Sequence, residues 1–137
     1  MSTDNIGVVR GMYEAFQRGD IDAVLSSFAP TVTWYSPGGP EIPWAGARQG
    51  REQVGQFFAQ LGAALEFLDF APEQFAASGD TVIVIGRDRV RVKTTGDVLD
   101  EQWAHVMQVR DGQVADFREI IDTAALVAVF GKAAARA

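Results

Sequence analysis

The chain has 137 residues, 47% of them hydrophobic, and its 12 basic and 18 acidic residues give a formal net charge of −6. This length predicts a single domain with its own core. The absence of cysteine excludes disulfides and thiolate chemistry, and the acidic balance disfavours nucleic acid and anionic membranes as partners. Because the sequence has no membrane-spanning apolar run and no signal-peptide pattern, we expect a cytoplasmic protein.

Three amphipathic helices are predicted in the first half of the chain. Apolar residues recur at helical spacing over 6–16, 21–28 and 54–65. Gly19 is expected to end the first helix, because glycine accepts the left-handed conformation common after a helix. Pro30 is expected to stop the second helix.

The second half is predicted to be mostly sheet. Alternating β-branched and aromatic residues predict strands over 31–36, 67–77, 81–93, 99–110 and 113–121. Asp111 and Gly112, between two such runs, are a strong signal for a hairpin. Asp122 is expected to cap a last helix that ends at Gly131, leaving 132–137 as a frayed tail.

The segment 37–50 is rich in proline and glycine and is therefore predicted to be a loop. It is long for a simple connector and contains Trp44. We expect Trp44 to act as a lid over the mouth of a pocket.

A two-residue hairpin loop at Asp-Gly would fix the register of the last two strands. His105, the only histidine, then lies opposite Arg118, and Trp103 lies opposite Ile120. A similar turn at Thr95 and Gly96, between the preceding strand and this hairpin, places Gly86 opposite His105, which leaves room for a ligand. Since side chains alternate across a strand, one face carries Val84, Gly86, Asp88, Val90, Glu101, Trp103, His105, Met107, Asp116, Arg118 and Ile120. We expect the helices to cover this face.

The opposite face carries a basic row on one strand, formed by Arg87, Arg89, Arg91 and Lys93. We interpret this row as part of a solvated or dimer face rather than a nucleic-acid site. The apolar centre of the same face is predicted to contain Val106, Phe117 and Ile121. Because these side chains would otherwise be exposed, a homodimer is expected to form through this face.

The order of elements resembles that of the nuclear transport factor 2-like superfamily. The likeness is carried by the stretches "YEAFQRGDIDAVLSSFAPTVTWYSPG" from Tyr13, "IPWAGARQGREQVGQFFAQL" from Ile42 and "EQWAHVMQVRDGQVADFREIIDTAAL" from Glu101. Within it the chain is similar to the SnoaL-like polyketide cyclase and ketosteroid isomerase-related group. The resemblance implies one α+β domain over 1–137, a cystatin-like cone. Its curved, mostly antiparallel sheet would carry three helices on the concave face and a short C-terminal helix, with a small-molecule pocket between them.

The resemblance also implies roles for individual residues. Ser36 stands where ketosteroid isomerases have their proton-shuttling aspartate, so that mechanism is not expected. His105 aligns with their oxyanion-hole acid, and Tyr13 lies near their oxyanion tyrosine. Asp88 matches one acid of the limonene epoxide hydrolases, and Asp122 is nearest to the acid/base residue of the SnoaL cyclases.

These observations predict a cofactor-free acid/base enzyme of the isomerase, cyclase or hydrolase kind, acting on a small, largely apolar substrate. His105 is the expected acid/base, with Arg118 and Asp88 setting its charge and Asp122 as a further catalytic candidate. Substrate contacts are expected from Tyr13, Trp34, Ser36, Trp44, Glu101, Trp103, Met107 and Ile120. One histidine and no cysteine argue against a zinc site, and no nucleotide-binding motif indicates a cofactor.

Other interpretations remain open at this point. His105 can be a hydrogen-bonded core histidine with Arg118 paired to an acid, and Asp122 can be an ordinary helix cap. The whole chain can be a non-catalytic binding or accessory protein for a hydrophobic metabolite, or a purely structural dimerisation module.

Overall fold

The structure, a computed structural model, describes residues 4–136, and for 132–136 the backbone only. The elements in chain order are α1 (Asn5–Gln17), α2 (Ile21–Ser26), β1 (Phe28–Ser36), β2 (Gly46–Gln49), α3 (Gly50–Ala64), β3 (Leu65–Ser78), β4 (Thr81–Val92), β5 (Val98–Arg110), β6 (Gln113–Ile121) and α4 (Ala124–Arg136). The strands form one curved, open sheet in the order β2-β1-β6-β5-β4-β3, in which β1 runs parallel to β6 and all other neighbours are antiparallel. The predicted α+β class is confirmed.

The first two helices begin where the sequence predicts. The Asp4 carboxylate accepts a hydrogen bond from the Gly7 amide, and the Asp20 carboxylate accepts one from the Ala23 amide. Gly19 has a φ of 77° and separates the two helices, as the sequence predicts. The buried side of α1 carries Val9, Met12, Tyr13 and Ala15 against the sheet.

The first strand is longer than predicted, because Pro30 lies inside β1 and α2 already ends at Ser26. The pairing of β1 with β6 is interrupted between Phe28 and Thr33, so the missing N–H of Pro30 costs no ladder hydrogen bond. The predicted loop 37–50 is also shorter than expected. The last residues of this segment form β2, which pairs with β1 and is the sixth strand of the sheet.

The β5–β6 hairpin has the predicted two-residue turn, but its register then changes. Asp111 and Gly112 have φ values of 53° and 75°, and Arg110 pairs with Gln113. A bulge follows on β6, after which Gln108 pairs with Asp116. One extra residue reverses the faces of everything beyond it on that strand.

The bulge corrects the predicted faces of β6. Arg118 pairs with Val106 and lies exposed on the outer face, and Glu119 instead lies opposite His105. Asp116 and Ile120 also belong to the outer face. The inner face receives Phe117, Glu119 and Ile121, so two of the three residues predicted at the dimer contact lie inside.

The register of β4 and β5 differs by two residues from the prediction, which preserves the faces but changes the partners. Asp88 pairs with Glu101, and Gly86 pairs with Trp103 rather than His105. A Cβ at position 86 would lie 2.5 Å from the Trp103 indole. Gly86 therefore makes room for the indole, not for a ligand as the sequence suggested.

The three arginines of the basic row lie on β4, face solvent and are paired with acids, whereas Lys93 follows β4 and donates to the carbonyl oxygen of Gly62. Arg87 lies 2.7 Å from Asp69, Arg89 lies 2.8 Å from Asp100, and Arg91 lies 2.6 Å from Glu66 in exposed ion pairs. Such pairs contribute little stability each, about 0–1 kcal/mol. The prediction of a charged outer face is therefore in keeping with the structure.

The last helix extends to Arg136, beyond Gly131, where the sequence predicted its end. Its Leu126 and Phe130 side chains are buried. The frayed tail predicted for 132–137 stays a prediction, because those side chains and Ala137 lie outside the described residues. Over the described part of the chain, no helix has the length and apolar character needed to cross a membrane.

Candidate functional site

A cavity of about 80 Å³ lies between the helices and the inner face of the sheet. Most of its wall is aromatic or aliphatic, with rings contributed by Tyr13, Phe16, Trp34, Trp44, Phe57, Phe58, Phe67, Phe70 and Phe117. Within the described residues, its ionisable lining side chains besides Tyr13 are Asp88, Glu101, His105 and Glu119. An apolar cavity with a few converging polar groups is the usual form of a small-molecule site.

Three of these polar side chains form a hydrogen-bonded chain across the cavity wall. The Tyr13 hydroxyl oxygen lies 2.7 Å from Nδ1 of His105, and Nε2 of His105 lies 3.1 Å from Oε2 of Glu119. The His105 side chain is only 7% exposed and that of Glu119 is 21% exposed. We call Tyr13, His105 and Glu119 the relay.

The charge state of His105 decides which way the hydrogen bonds of the relay run. A neutral ring donates from Nε2 to the Glu119 carboxylate and accepts the Tyr13 hydroxyl proton at Nδ1. A charged ring donates from both nitrogens, so the Tyr13 hydroxyl is free to donate elsewhere. Burial, with a smaller contribution from the Glu119 charge, holds the pKa of Tyr13 well above its ordinary value, so this phenol stays protonated.

A second polar group is the pair of carboxyls of Asp88 and Glu101, side by side on β4 and β5. Burial is the main reason that the pKa of Asp88 is raised to about 9, and its hydrogen bond with Glu101 and the charge of Glu101 add to it. Burial also raises the pKa of Glu101. The two carboxyls therefore share a proton near neutral pH. We call Asp88 and Glu101 the carboxyl pair.

Trp103 separates the relay from the carboxyl pair. Its indole stacks on the His105 ring at a centroid distance of 4.0 Å and on Phe70 at 5.2 Å. The imidazole also packs against Phe117 at 4.5 Å. His105 is therefore held in one orientation by rings on two sides and by hydrogen bonds at both nitrogens.

The structure brings together half of the predicted site residues around the cavity, namely Tyr13, Trp34, Trp44, Asp88, Glu101 and His105. Trp34 stacks on Phe117 at 3.8 Å. Trp44 is buried and meets the edge of Phe130 on α4 at 5.4 Å. Its predicted role as a lid stays a prediction.

Three predicted site residues lie away from the cavity. Arg118 is exposed on the outer face, and Ile120 is 56% exposed there, because the bulge turned both outward. The expected contact of Arg118 with His105 is therefore wrong. Asp122 is exposed, and its carboxylate accepts a hydrogen bond from the Ala124 amide at 3.0 Å, which makes it part of the cap of α4.

Three further predicted contacts are buried in the protein rather than in the cavity wall. The Ser36 hydroxyl accepts a hydrogen bond from Nε1 of Trp34 at 3.0 Å. Met107 is fully buried in the core. Trp103 acts on the site indirectly, through its stacking on His105.

Sequence reasoning missed Glu119, the direct partner of His105. One signal was available: in β6 the buried apolar residues Val114 and Phe117 are three positions apart, not two or four. Such a break in period 2 indicates a bulge between them. The sequence analysis also gave no site role to the phenylalanines of α1, α3 and β3, which form much of the cavity wall.

Comparison with known proteins assigns the chain to a family. The sequence profile described as a SnoaL-like domain matches residues 9–117. The chain belongs to the SnoaL-like family. The resemblance that the sequence predicted is thus confirmed, and with it the cone fold, because solved NTF2-like structures superpose over almost the whole SnoaL-like chain.

Three relatives illustrate the match. An NTF2-like protein of unknown function from Burkholderia pseudomallei is 30% identical, with a TM-score of 0.86 and coverage of 94% of this chain and 98% of its own. TerC, co-crystallised with polyporic acid, is 27% identical, with a TM-score of 0.84 and coverage of 94% and 99%. An uncharacterised protein of Mycobacterium tuberculosis is 28% identical over 84% of this chain and 86% of its own.

Proposed function

We propose that this SnoaL-like protein is a cofactor-free acid/base enzyme, of the isomerase, cyclase or hydrolase kind, acting on a small, largely apolar molecule in the cavity. The observation that carries the proposal is the relay of Tyr13, His105 and Glu119 in a wall that is otherwise almost entirely apolar. A buried imidazole fixed at both nitrogens is suited to moving protons without a cofactor.

In this proposal the proton enters the relay at Tyr13, which contacts the substrate. The substrate gives a proton to the Tyr13 oxygen while the Tyr13 hydroxyl proton passes to Nδ1 of His105. The imidazolium formed is stabilised by the Glu119 carboxylate at Nε2. Because Tyr13 gains one proton as it loses another, no phenolate accumulates, in keeping with its raised pKa. The reverse transfer returns the proton to the product.

The apolar wall supports the proposed substrate class. The rings of Trp34 and Phe117 stack on one side of the cavity, and Trp44 and Leu126 of α4 also line it. The co-crystallisation of the relative TerC with polyporic acid supports a small organic ligand for the family. The same features favour a second candidate, a non-catalytic binding protein for a hydrophobic metabolite, which would use the cavity but not the relay.

A generic reporter of proton transfer separates the two candidates before the native substrate is known. 5-Nitrobenzisoxazole is neutral, apolar and ring-opened by any competent base, and its product absorbs visible light. We expect wild-type protein to accelerate this ring opening and His105→Gln to lower the rate by about 10²–10⁴-fold. Arg118→Met is the matched control, because Arg118 lies on the outer face. Equal rates for wild type and His105→Gln would favour the binding protein.

We also propose a homodimer through the outer face of the sheet, with a centre different from the one the sequence predicted. Ile83, Ile85 and Ile120 are 41%, 46% and 56% exposed on this face. Ile85 and Ile120 both flank Ala104 in the same row across β4, β5 and β6. Exposure of clustered isoleucines to water is unfavourable. A second copy of the chain carries the same apolar patch, so a symmetric contact would bury both patches.

A further inference from the structure

Three acidic side chains line the cavity from the inner face of the sheet. Among the described residues, the cavity wall includes Asp88, Glu101 and Glu119 but neither lysine nor arginine. Glu119 has His105 as its partner. The carboxyl pair has no cation at all among the described ion pairs, whereas the acids beside it on the outer face are paired with arginines of β4.

The carboxyl pair also has an unused polar atom inside the protein. Asp88 is only 8% exposed, and its Oδ1 is fully buried without a hydrogen-bond partner. Such an atom destabilises the folded protein unless a hydrogen-bond partner satisfies it. Because Asp88 lines the cavity, a molecule bound there is in a position to do so.

A phenylalanine lies next to the carboxyl pair in the sheet. Phe70 on β3, Asp88 on β4 and Glu101 on β5 are consecutive partners across the sheet. Phe16 of α1 meets Phe70 at a centroid distance of 4.9 Å, and both line the cavity. Ring faces attract cations, and more strongly when the cation is desolvated. Carboxylates and ring faces together are the chemistry that recognises an ammonium group.

We propose that the molecule bound in this cavity carries a protonated amine, held by the carboxyl pair and the neighbouring phenylalanine rings. The proposal rests on the proposed function for its cavity and names the class of substrate. A divalent metal is a poorer occupant, because no three potential ligands among the described residues come together to hold one. The ammonium end and the relay lie at different places, since His105 is four residues beyond Glu101, or roughly 13 Å along β5.

Binding of the ammonium group is expected to expel the shared proton. The charged groups near the carboxyl pair are Glu119 on β6 and the outward-facing Asp100 on β5, and both charges add to the raised pKa of Asp88. An ammonium ion beside Asp88 favours its ionised form. Near pH 7 the bound amine therefore replaces about one proton.

The test compares three compounds of nearly equal size and different charge: benzylamine, benzyl alcohol and benzoate. Dissociation constants are measured by ligand-observed NMR on the wild-type protein near pH 7. We expect benzylamine to bind at least about tenfold more tightly than benzyl alcohol, with benzoate the weakest. If benzyl alcohol or benzoate binds as tightly, or benzylamine shows no binding at about 10 mM, the proposal is wrong. A preference for benzoate would point to an anionic ligand, as the name of the TerC ligand suggests for that protein.

Two variants locate the preference. Asp88→Asn and Glu101→Gln should each reduce the advantage of benzylamine over benzyl alcohol to about twofold or less. Asp100→Asn is the control, because Asp100 precedes Glu101 on β5 but faces outward and pairs with Arg89. An amine preference that survives both pocket variants would contradict the proposal.

Calorimetry gives a readout on the wild-type protein alone. The heat of benzylamine binding is measured in two buffers of different ionisation enthalpy, and the difference counts protons released. We expect release of up to one proton with benzylamine and none with benzyl alcohol. A heat independent of the buffer would overturn the proposal. The ring-opening reaction that tests the relay uses a neutral compound. The proposed acid/base function and the proposed amine site can therefore be refuted independently of each other.

Discussion

Asp88 is an ionisable residue in a buried position, which makes the stability of the protein depend on its protonation. Its carboxyl is buried on the inner face of β4, where Glu101 is its polar partner through a shared proton. A charged carboxylate in that position is costly, because burial removes its hydration. The protein keeps the group protonated instead, which ties stability to pH.

The first prediction is that Asp88→Asn removes part of the pH dependence of stability. The pKa of Asp88 is about 9 in the folded protein and about 3.9 in an unfolded chain. The folded state therefore holds the proton more tightly, and this contribution to stability is lost as pH rises from about 4 towards about 9. Asparagine does not ionise. As pH rises, the free energy of unfolding of the variant should therefore increase relative to that of wild type by up to about 1.4 kcal/mol per pH unit.

Thermal melts at several pH values between about 5 and 8.5 provide the measurement. Asp100→Asn serves as the control: the hydrogen bond from Arg89 lowers the pKa of this exposed carboxyl, so its own ionisation does not change within that window. If the melting temperatures of Asp88→Asn and of wild type changed with pH in the same way across the window, Asp88 would already be ionised in the folded protein.

At the scale of single elements, the close packing of β4 against β5 depends on Gly86. A Cβ there would meet the Trp103 ring at 2.5 Å and the carbonyl oxygen of Ala71 at 2.6 Å. Moving Trp103 would disturb the stack that holds His105. The oxygen of Ala71 belongs to the backbone of β3, so it cannot move aside as a flexible side chain can.

The second prediction is therefore that Gly86→Ala destabilises the protein by about 1–3 kcal/mol, the usual cost of overpacking a core. Gly11→Ala is the matched control, because a Cβ on this residue of α1 meets nothing within 4 Å. Alanine in a helix interior is favoured over glycine by about 0.5–1 kcal/mol, so the control should be stabilised. The two free energies of unfolding, measured with urea, should change in opposite directions. A neutral Gly86→Ala would contradict the packing described for Trp103.

The hairpin of β5 and β6 shows how far the sequence could predict the site. Asp111 and Gly112 correctly gave the turn, and the alternation of β4 and β5 correctly placed Asp88, Glu101 and His105 on the inner face. The bulge after Val114 was not predicted, since its local signal, the three-residue spacing of Val114 and Phe117, is much weaker than that of an Asp-Gly turn. One residue of slip was enough to exchange Arg118 for Glu119 beside His105.

At the scale of the whole molecule, the same slip redefines the outer face. The element order and the helix spacing predicted the cone, because these patterns are local and cover nearly the entire chain. Which side chains face outward depended on the register, and Phe117 and Ile121 were misplaced for this reason. Exposed isoleucines of β4 and β6 now mark the apolar part of that face.

The third prediction is that the protein is a dimer in solution and that Ile85→Lys makes it a monomer. Ile85 lies 46% exposed at the centre of the apolar patch, so a lysine there would place unpaired charge in the contact. Light scattering at micromolar concentration measures the mass. Exposed Leu68 on β3, changed to lysine, is the control for added charge. A monomeric wild type would reject the dimer, and a dimeric Ile85→Lys would reject this face.

The central claim is that Tyr13, His105 and Glu119 act as one proton-transferring unit. Tyr13 and Glu119 contact opposite nitrogens of the ring, so they can cooperate only through His105. The most direct test is a double-mutant cycle on the rate of 5-nitrobenzisoxazole ring opening, using Tyr13→Phe, Glu119→Gln and the double variant.

We predict that each single variant lowers this rate by at least about tenfold. Because both changes disable the same relay, the double variant should be about as slow as the slower single variant, as in other groups that act as a unit. Losses that multiply in the double variant, or a single variant with the wild-type rate, would contradict the account.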